Sequence, residues 1–274
     1  MIQNIPRWRR QMILPAAALA VLTGACSGRQ PATDAERLTR GREVVERMSD
    51  KLAAAQAFSV TTDEKREVIR AGGEAQHVAV TRELVVRRPD RLYVRTKGDQ
   101  DNEAYYDGVG LTLVMHNHKV FGQARMPETL DRALDAISER YGLPLTVSDF
   151  VYSSPSKALL SETTAGGWVG REDVGGRPQD HLAFTDTGVK WELWIAASGD
   201  PLPSRAVVEF PGDKRLRKAD ITFRDWNLAP SVSADRFDPT VPKDYEGIAM
   251  VQRAAVLRNM PEAPSPTEGS APKR

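Results

Sequence analysis

Alternation of apolar and polar positions fills most of the chain and gives way twice to the longer period of a helix. In the centre, Val109, Leu111, Leu113 and Met115 recur every second residue, as on a strand with one face buried, and Asn117 within HNHK supplies a hairpin turn before VFGQAR. The period then lengthens. Leu130, Leu134, Ile137 and Tyr141 recur at intervals of four, three and four, with Pro127 at a first helical position and Gly142 just past the end. This spacing predicts a helix over 128–141 whose apolar stripe rests on a sheet. A second helix is predicted over 34–57, opened by Thr33 and Glu36 at capping-box spacing and carrying Leu38, Val45, Met48, Leu52 and Ala55 on one side.

Strands surround both helices. FSVTTDEKREVIR and EAQHVAVTRELVVRR meet at Ala71-Gly72-Gly73, with Val78, Val80, Leu84 and Val86 on one face, and LYVRTK follows an Arg88-Pro89-Asp90 turn. After the central helix, LPLTVSDFVYSSPSKALL contains Pro144, Ser148 and Pro155 and is expected to be a loop with one or two short helical turns. WVGRED, HLAFTD, VKWELWIAA, SRAVVEF and LRKADITFRDW then succeed one another at the short spacing of an antiparallel meander. Trp191, Leu193 and Ile195 share a face, as do Ala206, Val208 and Phe210, while Trp194 points the other way, under a helix or on a binding rim. The fold class is therefore mainly β with helices (α+β), an antiparallel sheet with one face buried and one towards solvent. No linker rich in Pro, Gly or Ser divides 34–247, which reads as a single domain, and 248–274, ending NMPEAPSPTEGSAPKR, reads as a disordered tail.

Composition narrows the function classes. The chain has 274 residues, 27% charged and 41% hydrophobic, with a formal net charge of +1, so no global basic excess points to nucleic acid. Two basic runs, Arg82 to Lys97 and Lys214 to Lys218, read as the polar side of alternating strands, with an anionic membrane surface as the other reading. The single cysteine, Cys26, excludes an internal disulfide, a Cys-based metal cluster and a Cys–His nucleophile.

Residues 1–25 read as an export signal. Arg7, Arg9 and Arg10 precede the apolar run MILPAAALAVL, which is too short for a membrane span. The end, Leu22-Thr23-Gly24-Ala25-Cys26, resembles the lipobox of bacterial lipoproteins, although Leu sits one place early with Thr23 after it. That resemblance implies lipidation of Cys26, with 26–33 as a polar tether. The alternative is an ordinary signal peptide cut after Ala25. Several acyl chains at Cys26 hold a protein stably where one is marginal, and Ser27 in place of Asp favours, by the same resemblance, the outer membrane.

The blocks VRRPDRLYVRTKGD, EAYYDGVGLTLVMHNHKVF, ERYGLPLTVSDFVYSSP, HLAFTDTGVKWELWI and PLPSRAVVEF together resemble the DUF2092 family of predicted periplasmic proteins, over roughly Arg40 to Pro242. The turn Arg88 to Leu92, Tyr106-Asp107-Gly108 and Leu111-Thr112-Leu113 resemble, more distantly, the LolA carrier and LolB receptor of lipoprotein sorting. That likeness implies a half-open antiparallel β-barrel, or strongly curved sheet, closed by helices over an apolar cavity that takes acyl chains.

Residue chemistry adds little. His116 and His118 bracket a turn with no third ligand nearby, whereas a zinc site wants at least three, so the pair reads as a solvated hairpin tip and no metal is expected. Asp99, Asp101 and Glu103 imitate the start of a calcium loop, but Ala104 stands where Gly belongs and Gly110 where Glu belongs. There is no G-x-S-x-G elbow, dinucleotide fingerprint or P-loop, and Ser153 or Ser154 with Asp149 and His181 is a triad only by accident of folding. No cofactor and no catalytic residue are expected. The expectation is a lipid-anchored protein on the periplasmic side of the envelope with an apolar cleft lined by Leu113, Met115, Leu130, Leu134, Ile137, Trp191 and Leu193. Its ligand would be an acyl chain or a lipoprotein. The rival is a non-catalytic envelope scaffold of the same fold with a fully packed core.

Overall fold

The computed structural model describes residues 33–70, 72–141, 146–213 and 216–251; Cys26, its flanking signal and tether, Gly142 and residues 252–274 lie outside them. Helix α1 (Asp34–Ala54) opens at Thr33. The Thr33 hydroxyl accepts from the Glu36 amide while the Glu36 carboxylate accepts from the Thr33 amide, the reciprocal cap that the spacing predicts. Its last turn stops at Ala54, three residues before the predicted end.

A first meander follows: β1 (Ala57–Ile69), β2 (Ala75–Arg87), β3 (Arg91–Gly98), β4 (Asn102–Tyr106), β5 (Gly110–Met115) and β6 (Val120–Arg125). Helix α2 (Leu130–Tyr141), a 3-10 turn at Ser148–Phe150 and short helix α3 (Pro155–Leu160) interrupt it. A second meander then runs through β7 (Thr163–Val174), β8 (Arg177–Asp186), β9 (Val189–Ala196), β10 (Pro203–Glu209) and β11 (Leu216–Asn227), and β12 (Glu246–Ala249) ends the described chain. All twelve strands belong to one sheet in the order β12-β6-β5-β4-β3-β2-β1-β11-β10-β9-β8-β7. The two meanders join where β1 pairs with β11, Thr62 opposite Phe223 and Glu64 opposite Ile221. Neighbours are antiparallel except β12 and β6, which run parallel. The sheet curves and stays open, with β12 and β7 at its edges.

The inner face carries the helices. One hydrophobic cluster joins Val44, Val45, Met48 and Leu52 of α1 and Leu130, Ala133 and Leu134 of α2 to Phe58, Leu84, Leu92, Tyr106, Leu111, Leu182, Leu193 and Ile221 of the strands. Burial at roughly 25 cal/mol per Å² makes this cluster the main source of stability. Helix α1 crosses β7 at very short range, because Gly41 faces Gly167 with no side chain on either; a Cβ on Gly41 would lie 2.8 Å from the Gly167 backbone. Helix α2 starts at Leu130, not Pro127. The first helical hydrogen bond runs from the Ala133 amide to the Thr129 carbonyl, and the Pro127 carbonyl instead accepts the Tyr106 hydroxyl at 2.5 Å.

The outer face departs most from the one-sided pattern. Val85, Tyr93, Tyr105 and Val114 form a second cluster around Phe237, which has no exposed surface and reaches the sheet on a 3-10 turn at Ala234–Phe237. Val232, Val241 and Tyr245 extend this cover. Strand β5 therefore buries Leu111 inward and Thr112 and Val114 outward, while Val109 lies 57% exposed in the preceding turn. The boundary placed at 248 also shifts. Ile248 and Ala249 belong to β12, and the Met250 side chain lies against Gly122.

Candidate functional site

Strand register brings together on the inner face a row of side chains unlike the apolar rows beside it. Val120, Met115, Asn102, Thr96, Arg82, Thr62 and Phe223 are successive cross-strand partners from β6 to β11. The row is apolar at both ends and polar in the middle. Towards α2, the adjoining row is Gly122, Leu113, Ala104, Val94, Leu84 and Val60, and on the other side Glu64 is flanked by Val80 and Ile221. Alternation along β1 explains the arrangement: Phe58, Val60, Thr62 and Glu64 all point inward, so a strand that looks charged in sequence delivers a carboxylate to the buried side.

Glu64 has no exposed side-chain surface and is ion-paired to Arg82, itself 7% exposed. Its second oxygen accepts the Thr146 hydroxyl at 2.8 Å and lies 3.4 Å from Arg66 Nε. Arg66 donates in turn to Gln100 at 3.0 Å. Burial pulls the Arg82 pKa down to about 10, and Arg66 moves the same way for the same reason. The Thr62 hydroxyl, fully buried beside them, has no hydrogen-bond partner. Thr146, five positions after the end of α2 in sequence, lies on the inner face against Glu64. Val147 and Val151 sink into the main cluster beyond it, and Phe150 meets Phe223 edge-on at 5.0 Å. Arg88 donates to the carbonyls of Val151 and Tyr152.

The seven expected cleft residues divide into two sets. Leu130 is 2% exposed, Leu134 4%, Leu193 1% and Trp191 7%; all four belong to the main cluster and offer almost no surface to a ligand. Leu113, Met115 and Ile137 are only half-buried. Leu113 and Met115 belong to neither cluster, and Ile137 and Tyr141 pack at the margin of the main one. Apolar surface remains accessible on the inner face of β5 and β6 and at the end of α2, beside the polar row.

Other candidates are engaged elsewhere. His116 Nδ1 lies 2.9 Å from the Tyr245 hydroxyl and His118 is exposed, so the two do not converge, and among the described residues no group of three ligands is placed for a metal. Asp99 accepts from the Ala79 amide, Asp101 pairs with Arg95, and Glu103 accepts from Tyr93 and Tyr105, which accounts for the imitation calcium loop. Ser153 is bonded to Asp131. His181 is on the outer face, its ring nitrogens 2.8 Å from Glu172 and 2.7 Å from Glu192, so no triad with Asp149 is assembled. Trp194 is neither under a helix nor on a rim. It stacks on His181 at 4.3 Å with Arg205 at 4.9 Å, and Arg205 holds Asp220 through two hydrogen bonds that lower the Asp220 pKa. Arg82, assigned by sequence to the polar side of a strand, points inward.

A family model described as "Predicted periplasmic protein (DUF2092)" matches residues 41–251. No curated protein matches the chain in sequence. Similar solved structures include a conserved protein from Thermus thermophilus, at 12% identity and TM-score 0.46 over 76% of this chain and 98% of that one. Others are lipoprotein LppX of Mycobacterium tuberculosis, at 14% and 0.42 over 70% and 97%, and a LolA superfamily protein of Nitrosomonas europaea, at 11% and 0.39 over 73% and 98%. Likenesses this distant do not bear on ligand or role.

Proposed function

The chain belongs to the DUF2092 family of predicted periplasmic proteins, and from that premise we propose that it is a lipid-anchored binding protein of the envelope that holds an apolar chain on the inner face of its sheet. Cys26 is the attachment point and the outer membrane the favoured site. The observation that carries the binding reading is the half-buried apolar surface of Leu113, Met115 and Ile137, left over beside the part of the inner face that α1, α2 and the 146–160 segment close. A hydrocarbon laid there is removed from water without displacing packed core. Leu130, Leu134, Trp191 and Leu193 belong in this reading to the packed core and not to the lining.

The rival reading, an envelope scaffold, draws on the near-complete burial of those same four residues. Ile137→Trp separates the two. In the binding protein the indole occupies ligand space, so uptake of a neutral probe, the methyl ester of cis-parinaric acid, is lost while the far-ultraviolet circular dichroism and the urea midpoint stay native. In the scaffold the wild type takes up no probe, and the substitution costs about 1–3 kcal/mol through overpacking.

A further inference from the structure

The inner-face cluster at Glu64 carries an imbalance that internal pairing does not remove. One carboxylate, Glu64, faces two guanidiniums, Arg82 and Arg66, so one positive charge is left over among side chains that are 0%, 7% and 17% exposed. Val80, Ile221 and Phe223 beside it offer no polar group, and Gln100, which accepts one Arg66 hydrogen bond, cancels no charge. An uncompensated buried charge is expensive, and a protein keeps one where something outside the chain completes the site. Thr62 adds a hydroxyl with no exposed surface and no partner, on the Arg82 cross-strand position of β1. Of the nearby acids, Asp101 is paired with Arg95, and Asp99 is exposed to solvent with one oxygen accepting from the Ala79 amide.

Register supplies the rest. Arg82 shares its row with Met115 and Val120, three and four strands away across Thr96 and Asn102, so a polar path on the inner face joins the charged cluster to the half-buried apolar surface. Arg66 lies further towards the β1–β2 hairpin, where Val68, Val78 and Gln76 are only half-buried and the inner face opens. Apolar surface on one side and surplus guanidinium on the other match a molecule with both characters.

We propose that the ligand is an anionic amphiphile, its head a carboxylate or a phosphate ester. Its head pairs with Arg66, the most exposed of the cluster, with Arg82 and the unpartnered Thr62 hydroxyl behind it, and its hydrocarbon lies along Met115, Leu113 and Ile137. This rests on the apolar-chain reading above and adds the head group to it. The planar fork of an arginine suits either oxyanion. Arg66 is the more informative residue to change, because Arg82 is the principal partner of Glu64 and its loss would strand that carboxylate.

The test is titration of the chain from Ser27 with cis-parinaric acid and with its methyl ester, which have the same hydrocarbon and differ only in the charge of the head. Wild type is expected to bind the acid at least about ten-fold more tightly than the ester, and Arg66→Gln to lose roughly ten-fold for the acid with the ester unchanged. Decanoate and decyl phosphate should displace the bound acid where decanol does not, and whichever anion is stronger identifies the source of the charge. Equal binding of acid and ester, or equal loss of both in Arg66→Gln, overturns the head-group assignment and leaves the apolar reading standing. Binding of neither probe overturns both. Melting of Arg66→Gln and of a second variant, Thr62→Val, verifies that each is folded, and Thr62→Val should weaken the acid alone.

Discussion

Glu64 and Arg82 meet as an ion pair on the buried face of adjacent strands, 18 positions apart in sequence and with 0% and 7% of their side chains exposed. Neither charge has water to fall back on, so the pair is worth most as a unit. Glu64→Gln should cost about 3–5 kcal/mol, because two arginines then remain without an anion. The double change Glu64→Leu with Arg82→Met should be far milder than either single one. Urea unfolding of the four proteins gives the coupling directly, and additive single and double effects would contradict the pairing.

Gly41 sets how closely α1 approaches the sheet. With a Cβ 2.8 Å from the Gly167 backbone, Gly41→Ala must lift the helix off β7 and should destabilise by about 1–3 kcal/mol. At an exposed helix position the same change stabilises, since alanine is the better helix former. The sign of the shift in melting temperature decides it.

Asp149 should be a liability at neutral pH. Burial first, and the neighbouring Asp186 second, raise its pKa above the ordinary 3.8. A raised carboxyl binds protons more readily folded than unfolded, so its contribution falls as pH rises from the unfolded value through the folded one. Asp149→Asn should therefore gain stability over wild type progressively across that window and hold the gain above it. Asp220, lowered by Arg205, has the opposite sign, and Asp220→Asn should lose stability at neutral pH but not below the lowered pKa. Urea midpoints measured from acid to neutral pH test both, and parallel curves would refute them.

Cys26→Ala should abolish incorporation of labelled palmitate and leave the precursor unprocessed by the lipoprotein peptidase. Retained label, or normal maturation, would return the N-terminus to an ordinary signal peptide.

Strand parity made much of this legible. The shared faces of Trp191, Leu193 and Ile195, the stripe through Leu130 and Leu134, and the Thr33–Glu36 cap follow from local spacing and stand in the structure. The Glu64–Arg82 pair was hidden because TTDEKRE looks like solvent-facing sequence. The clue was that Glu64 keeps step with Phe58 and Val60. The outer cover was illegible for another reason: nothing near Val114 announces that Phe237, over a hundred residues later, will pack on it. Long-range closure of that kind leaves no local period. The division of the cleft had the same origin, since Leu113 and Leu111 look equivalent along β5 and differ only in what the helices above happen to cover.

Native mass spectrometry of the chain from Ser27, purified from the periplasm without detergent and followed by organic extraction, tests the central claim most directly. The account predicts a bound adduct of one amphiphile class, acidic in its head group and displaced by cis-parinaric acid. A clean ligand-free mass, with no uptake of the acid or its ester, would contradict it and leave the packed scaffold as the function of this fold.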